Sequence, residues 1–187
     1  MTEDEMKPFC STDDPLRYEM RRPFVQFNWR YATDARIMIR CPAPGEPDSV
    51  CEYGFPPNLG RTQFNFPTPS QTHEMPPPHG LAMLCENCNG IGERDCDHCG
   101  GGPCGDCLGR GTVPVPQEVF GVWISVEYIA LLRSLQGLRV FPIPGRGTCL
   151  GFTFDGGEGR VMGMEAKHAE KCYSEAKRLA MDGARKP

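Results

Sequence analysis

Apolar and polar residues alternate in two stretches near the beginning of the chain, FVQFNWRYAT (residues 24–33) and RIMIRCP (residues 36–42). Such alternation predicts β-strands, because successive side chains of a strand point to opposite faces. An Asp-Ala step at Asp34 predicts the turn of a hairpin between them. The apolar positions that share a face are Val25, Phe27, Trp29 and Tyr31 in the first stretch and Ile37, Ile39 and Cys41 in the second. Large aromatic side chains favour burial, so Trp29 and Tyr31 are expected in the core.

Helical features occur in three other segments. Residues 15–21 follow Asp14, a good N-cap, and begin with a proline, which favours a short helix. Residues 126–136 repeat apolar side chains with helical spacing and end before Gly137, and this stripe consists of Tyr128, Leu131, Leu132 and Leu135. The tail, residues 165–187, is predicted to form a solvated helix of mixed charge, with a docked terminal helix as the alternative. Its thin apolar stripe is formed by Ala166, Ala169, Tyr173 and Ala176.

Further strands are predicted around the second helix. The runs are EVFGVWIS (residues 118–125), LRVFPI (138–143), TCLGFTFD (148–155) and RVMGME (160–165). Pro142 indicates that the second run is an edge strand, because proline has no N–H to donate to a neighbour. The last two runs flank a glycine-rich step and predict a hairpin.

Three Cys-x-x-Cys pairs lie between residues 85 and 107 and suggest a metal site. The pairs are Cys85 with Cys88, Cys96 with Cys99, and Cys104 with Cys107. A two-residue spacing places both sulfurs on one side of a knuckle, and two facing knuckles complete a tetrahedral thiolate shell. The outer two pairs continue as x-Gly-x-Gly, which allows positive φ angles and lets backbone N–H groups approach the sulfurs. The sequence therefore predicts zinc.

Six thiols do not divide evenly among four-coordinate ions. We expect the outer pairs to hold one Zn²⁺, while Cys96 and Cys99 either stay a free dithiol or form a second site. A second zinc would need ligands from outside the pair, and the candidates are His98, Cys41 and Cys51. Two histidines of the proline-rich segment, His73 and His79, are weaker candidates.

Disulfides and redox catalysis are the competing interpretations of the cysteines. The beginning of the chain, MTEDEMKPFC, is acidic and has no apolar core, so we expect no export signal and a reducing, cytoplasmic environment. A thioredoxin-type pair would stand alone at the start of a helix, whereas these pairs crowd into a glycine-rich stretch. Both features favour a metal.

Charge favours a protein partner over nucleic acid. The net charge is −4, without the excess of cations typical of proteins that coat nucleic acid. The cysteine segment itself is acidic, with Glu86, Glu93, Asp95, Asp97 and Asp106 against Arg94 and Arg110. Apolar runs are too short for a membrane span. Candidate catalytic groups are scattered, and a zinc closed by four thiolates has no open position, so we expect no enzymatic activity.

Proline-rich segments divide the chain into five parts. Residues 1–66 are predicted to form the first half of an α+β domain, 67–84 a proline-rich linker, 85–112 the cysteine-rich zinc module, 113–164 the second half and 165–187 the helical tail. The predicted fold is therefore an antiparallel sheet with two helices in two pseudo-equivalent halves, an inserted zinc knuckle and a C-terminal helix.

The CENCNGIG and CGDCLGRG repeats resemble the cysteine-rich domain of DnaJ-type co-chaperones, whose unit is CxxCxGxG. That family carries four units and two zincs, whereas the middle pair here reads CDHCGGGP, and the His-Pro-Asp tripeptide of the family does not occur in this chain. The resemblance implies an alternative function as a holdase or as a thiol-disulfide chaperone that uses Cys96 and Cys99.

The motifs YATDARIMIR and FTFDGGEGRVMGM resemble strand pairs of bacterial sliding-clamp domains. The combined pattern also resembles uncharacterised phage and bacterial proteins with a clamp-like body and a central cysteine knuckle. The resemblance implies an alternative role as a DNA-associated replication accessory, or as a phage protein that modulates host machinery. Cations are sparse on the two helices predicted within the clamp-like halves, residues 15–21 and 126–136, which carry Arg17, Arg21 and Arg133, so we expect the fold without the DNA-encircling ring. The preferred prediction is a non-enzymatic zinc-binding adaptor.

Overall fold

The computed structural model describes residues 1–11, 20–49, 64, 71–94, 101–104, 107, 109–143 and 148–183. In these residues the protein is α+β, with three α-helices, a six-stranded antiparallel sheet and three two-stranded sheets. The helices are α1 (Glu3–Met6), α2 (Val126–Arg133) and α3 (Ala166–Gly183). The strands are β1 (Phe24–Gln26), β2 (Trp29–Thr33), β3 (Ile37–Pro42), β4 (Ala82–Leu84), β5 (Glu93–Arg94), β6 (Gly102–Pro103), β7 (Thr112–Pro114), β8 (Gln117–Val119), β9 (Val122–Ile124), β10 (Arg139–Pro142), β11 (Cys149–Phe154) and β12 (Gly157–Met162).

The large sheet joins the two ends of the chain. Its strand order is β1-β2-β3-β12-β11-β10, so β3 from the first part pairs directly with β12 from the last part. Ile39 lies opposite Gly159 in that central pair. The cysteine-rich segment lies in the chain between β3 and β10, which are consecutive strands of this sheet in the sequence. The sheet thus confirms a mixed α+β fold, while the clamp-like arrangement stays a prediction.

Two runs that were each predicted as a single strand are hairpins, and the predictions were wrong at these points. Residues 24–33 turn at Phe27 and Asn28, whose φ angles are 53° and 60°. Residues 118–125 turn at Phe120 and Gly121, with φ angles of 49° and 81°. Positive φ at both central residues is the mark of the two-residue hairpin turn. Each turn carries an exposed phenylalanine, so apolar residues continue through the turn in both runs, and the turns were concealed.

The main core lies on one face of the sheet. Ile37, Ile39 and Cys41 project from β3 on this face, as the alternation predicted, and pack with Leu150 and Phe152 of β11. On the opposite face Tyr31 is buried beside Phe24 and Met38, while Trp29 is partly buried. The Arg40 guanidinium lies 4.2 Å from the centroid of the Trp29 ring. Tyr31 is therefore core as expected, and Trp29 forms the margin of the second cluster.

Helix α2 covers the main core with a slightly different face from the one predicted. The helix ends at Arg133 and the chain turns through Gly137, which has a φ of 65°. Ile129 and Leu132 are fully buried and Leu135, just past the helix, is also buried, whereas Tyr128 and Leu131 lie at the edge of the contact. Two residues of the predicted stripe, Leu132 and Leu135, therefore belong to the core, and Ile129 takes the inward position that was predicted for Tyr128.

A short N-terminal helix was missed, although its signal is present. Thr2 and Glu5 form a capping box, in which the Glu5 N–H donates to the Thr2 hydroxyl and the Thr2 N–H donates to the Glu5 carboxylate. The capping box thus gives hydrogen-bond acceptors to two backbone N–H groups at the start of α1. Met6 and Phe9 behind it are buried in the main core. The helix predicted over residues 15–21 lies mostly outside the described residues.

The described part of the proline-rich segment lies against the large sheet and α2, which we call the body of the protein. His73 and Val140 exchange backbone hydrogen bonds of 2.8 Å, which extends the sheet beyond the edge strand β10. Met75 is buried in the main core, and Arg133 donates to its carbonyl at 2.7 Å. At the other end of the chain, α3 buries Ala169 and Ala176 of the predicted stripe. No helix in the described part of the chain has the length and apolar character needed to cross a membrane.

Candidate metal centre

The two outer cysteine repeats fold as matching knuckles that close on each other. Cys85 follows β4, and its N–H donates to the Gly111 carbonyl at 2.8 Å. Cys104 follows β6, and its N–H donates to the Gly92 carbonyl at the same distance. In each repeat, the carbonyl of the last glycine therefore accepts a hydrogen bond from the first cysteine of the other repeat. The two repeats are joined by this reciprocal pair of bonds.

Within each knuckle the same backbone turn is formed. Gly90 donates to the Cys85 carbonyl at 3.2 Å, and Gly109 donates to the Cys104 carbonyl at 3.1 Å. The next residue of each repeat, Ile91 or Arg110, donates to the carbonyl of the second cysteine at 3.0 Å. Equal spacing in the sequence therefore produces the same backbone hydrogen-bond pattern in the two repeats.

The four sulfurs gather at the centre of this arrangement. The sulfurs of Cys85, Cys88, Cys104 and Cys107 lie within 4.8 Å of one another, and all four residues are buried. The Cys85 and Cys104 sulfurs are 3.9 Å apart, and those of Cys88 and Cys107 are 3.7 Å apart. A tetrahedron with Zn–S bonds of about 2.3 Å has corners roughly 3.8 Å apart. The group therefore fits one metal ion, and all four cysteines are free of disulfides.

Backbone N–H groups support the negative charge of the sulfurs. Gly92 donates to the Cys88 sulfur, and Gly111 donates to the Cys107 sulfur, each at 3.3 Å. Desolvation opposes ionisation of Cys88, but the N–H of Gly92 and the neighbouring thiols outweigh it and lower the pKa of Cys88 to about 7. Desolvation raises the pKa of Cys85 to about 11. Without a metal, one ionised thiolate opposes the ionisation of its neighbours, because like charges repel. A bound divalent cation would favour the ionised form of all four thiols.

Glycine is required where the knuckles meet. A Cβ atom on Gly92 would lie 2.4 Å from the Gly109 carbonyl oxygen, and one on Gly111 would lie 2.2 Å from the Gly90 carbonyl oxygen. These two glycines have φ angles of 87° and 72°, which other residues rarely adopt. The x-Gly-x-Gly extension is therefore a packing requirement of the metal-binding geometry.

The structure brings together four of the six predicted ligands. Cys96, Cys99 and the candidate ligands His98 and Cys51 lie outside the described residues. Among the other candidates, Cys41 is buried in the main core, the His73 ring stacks on Phe120, and His79 contacts the Pro116 carbonyl. Within the described part of the chain, no further group of three or more Cys, His, Asp or Glu side chains converges in this way.

Exposed apolar side chains on the module were not singled out from the sequence. Leu84 is 57% exposed and Ile91 is 75% exposed, next to the buried cysteines. The module also contacts the body, because Arg110 forms an ion pair with Glu127 of α2 at 3.5 Å. The sequence could have predicted the exposure of Ile91, which lies between Gly90 and Gly92 of a knuckle. A knuckle has no apolar core in which such a side chain could be buried.

No known protein-family model, no curated protein and no solved structure matches this chain. The DnaJ-type module and the clamp-like body therefore stay predictions from sequence motifs. The structure itself defines an α+β protein with a buried group of four cysteines that could hold one metal ion.

Proposed function

We propose that this chain is a non-enzymatic zinc-binding adaptor, in which one structural Zn²⁺ shapes a knuckle that binds a protein partner. The observation that carries the proposal is the set of four buried sulfurs with tetrahedral spacing. Zinc is the preferred ion because four thiolates in a tetrahedral shell are its usual structural ligands. Residues Cys85, Cys88, Cys104 and Cys107 would hold it.

The closed shell supports a structural role. Catalytic zinc sites keep one position for water or substrate, and four cysteines leave none. The module has little apolar interior beyond the cysteines and the partly buried Val113. Zinc binding contributes about 10–16 kcal/mol in isolated zinc-finger peptides, which is enough to order such a segment. The ion would therefore replace the hydrophobic core that the module lacks.

Charge and exposure support a protein partner. Four thiolates around one divalent ion leave two negative charges, and Glu86 and Glu93 add to them on the surface. A phosphate backbone would be repelled by this surface, whereas exposed Leu84 and Ile91 offer apolar contact area. Arg133, the cation of α2, already donates to the Met75 carbonyl. The preferred partner is therefore a protein.

Metal content tests the zinc site. We expect elemental analysis of protein purified without added metal to give one zinc per chain, because the outer pairs form one complete shell. The Cys104→Ser variant should lose it, while Cys149→Ser, which changes a buried cysteine of β11, should keep it. Zinc that stays at full occupancy in Cys104→Ser would overturn the proposed ligand set.

A pull-down tests the adaptor role. We expect proteins retained by the immobilised wild-type chain to be lost when both exposed apolar side chains of the module are replaced, in the variant Leu84→Ser with Ile91→Ser. The zinc content of that variant should be unchanged, because neither side chain is a ligand. The matched control is Phe27→Ser, which changes an exposed apolar residue of the distant β1–β2 turn. Retention of every partner by the double variant would contradict the adaptor role.

Two other functions follow from the resemblances and have direct tests. A DnaJ-like thiol-disulfide chaperone would need Cys96 and Cys99 to react, so titration of free thiols on zinc-loaded protein distinguishes it from the adaptor. A DNA-associated clamp would need self-assembly and DNA binding that weakens with salt. A monomeric mass without such binding would remove the clamp.

A further inference from the structure

An apolar groove separates the zinc module from the C-terminal helix. One wall contains residues of β4 and β7, and the other contains residues of α3 together with Met164, two residues before that helix. The apolar lining includes Met83, Leu84, Val113, Pro114, Met164 and Cys172. The cavity measures about 310 Å³, and two residues of its lining, Leu84 and Met164, are 57% and 40% exposed. This is enough room for a few side chains of a bound segment.

The described lining of the groove carries one carboxylate, that of Glu86, and no lysine or arginine. The His168 ring also lines the groove, on α3, with its Nε2 3.7 Å from the Cys172 sulfur. Arg110 of the module is engaged by the Cys107 carbonyl at 3.1 Å and by Glu127. Cys85 also lines the groove, so a zinc-thiolate centre would add its negative charge from below. An occupant with a positive group is therefore favoured over an anionic one.

We propose that this groove binds a short peptide segment of the partner, with two or three apolar side chains inserted and a lysine or arginine paired with Glu86. The inference rests on the proposed adaptor function and specifies its partner chemistry. The methionines of the lining suit a range of apolar side chains, because the unbranched thioether adapts its shape. The Glu86 carboxylate then favours a cationic neighbour.

Binding of a defined probe tests the groove. The probe is a fluorescein-labelled nonapeptide with three leucines and one central lysine among serines, titrated against the full-length zinc-loaded chain. We expect saturable binding that Met164→Glu weakens by roughly tenfold or more, because it places a charge in the apolar lining. Met162→Glu is the matched control, since Met162 is similarly exposed, at 43% against 40%, but lies outside the groove. Equal weakening by both variants, or by neither, overturns the proposal.

A charge exchange tests the pairing with Glu86. We expect Glu86→Lys to weaken the lysine probe by about tenfold and to strengthen a probe in which glutamate replaces that lysine. Glu93→Lys makes the same change on the module outside the groove and should alter either affinity by less than about twofold. A loss of both probes in Glu86→Lys, without the exchange of preference, contradicts the pairing.

Alkylation locates the probe and separates the two proposals. Cys172 lines the groove and is half-buried, so a bound peptide should slow its reaction with iodoacetamide. The extent of alkylation at Cys172 is measured by peptide-resolved mass spectrometry. Protection of Cys172 that increases with protein concentration alone would show that a second copy fills the groove, and would overturn the peptide proposal. If no probe binds while the Leu84 and Ile91 double variant still loses its partners, the groove proposal fails and the adaptor function stands.

Discussion

Glycine positions decide whether two cysteine knuckles can meet. Gly92 and Gly111 each place a backbone N–H on a cysteine sulfur and a carbonyl on the first cysteine of the other repeat. No side chain fits at either position, because the opposing carbonyl oxygen already occupies the place of a Cβ atom. The glycines therefore have a direct geometric connection to the metal-binding group.

Substitution of Gly111 by alanine should weaken metal binding. We expect Gly111→Ala to lower zinc affinity by about tenfold or more, because the new Cβ would lie 2.2 Å from a carbonyl oxygen and the residue has a φ of 72°. Competition with a chromogenic chelator measures the affinity. Gly102→Ala in the same module is the control, since its Cβ would meet nothing within 4 Å and its affinity should match the wild type. Equal affinities for all three proteins would refute the packing requirement.

Helix α2 is attached to the β2–β3 turn by one short contact between elements. The Tyr128 hydroxyl donates to one carboxylate oxygen of Asp34 at 2.5 Å. The other oxygen accepts the backbone N–H groups of Arg36 and Ile37, each at 2.8 Å. Asp34 therefore shapes the turn, as expected from the sequence, and also holds the helix, which no local pattern indicated.

Removal of the Tyr128 hydroxyl should destabilise the body. We expect Tyr128→Phe to lower the free energy of unfolding by about 1–3 kcal/mol, measured by urea denaturation, because the carboxylate loses a charge-assisted partner. Tyr173→Phe makes the same chemical change on α3, where the ring contacts Trp123 and His79, and should stay within about 0.5 kcal/mol of the wild type. Equal effects of the two substitutions would argue against the special role of Tyr128.

The hydrogen bond from Tyr128 to Asp34 should make the free energy of unfolding depend on pH. Desolvation raises the pKa of Tyr128 above its ordinary value of 10.0, and donation to Asp34 raises it further. Below that ordinary value tyrosine is protonated in both the folded and the unfolded chain, so the hydrogen bond contributes fully. At higher pH only the unfolded chain loses the proton, which favours unfolding. The deficit of Tyr128→Phe should therefore shrink as the pH rises above about 10.

On the scale of the whole molecule, the protein has separate centres of stability. The main core joins the sheet, α1 and α2, whereas the cysteine cluster shares no buried residue with it. The described links between module and body include the exposed Arg110–Glu127 ion pair and the side of α3 next to β4. Exposed ion pairs contribute little. The body should therefore keep its fold when the module loses its metal.

Chelation tests this independence. We expect removal of zinc with a strong chelator to abolish amide hydrogen-exchange protection in β4, in β7 and at both knuckles, because the ion replaces an apolar core there. Protection in β3, β11 and β12 should persist. Re-addition of zinc should restore the module, and Cys104→Ser should resemble the chelated wild type with or without zinc. Loss of protection throughout the sheet on chelation would show that the body depends on the ion.

Local chemistry could be read from the sequence because it depends on neighbouring residues. The spacing of Cys85 with Cys88 and of Cys104 with Cys107, followed by glycines, predicted the buried group of four sulfurs. Alternation predicted the β2–β3 hairpin, and Pro142 predicted an edge strand. Thr2 and Glu5 carried a readable cap that was overlooked. The two hidden turns, at Phe27 and Phe120, escaped because an apolar turn residue continues the apolar pattern of the strands on either side.

Only the tertiary structure decided how distant parts meet. Arg40 and Glu158 form an ion pair across 118 residues of sequence in the β3–β12 pair, and no local pattern specifies such a partner. The inward side of α2 and the placement of α3 beside the knuckle likewise depend on surfaces contributed by other segments. The sequence by itself determined that the outer cysteine pairs would form knuckles whose four sulfurs could hold a metal ion, because cysteine spacing sets that geometry locally. The fold decided that the knuckle faces a helix across an open apolar groove, because long-range packing alone brings those surfaces together.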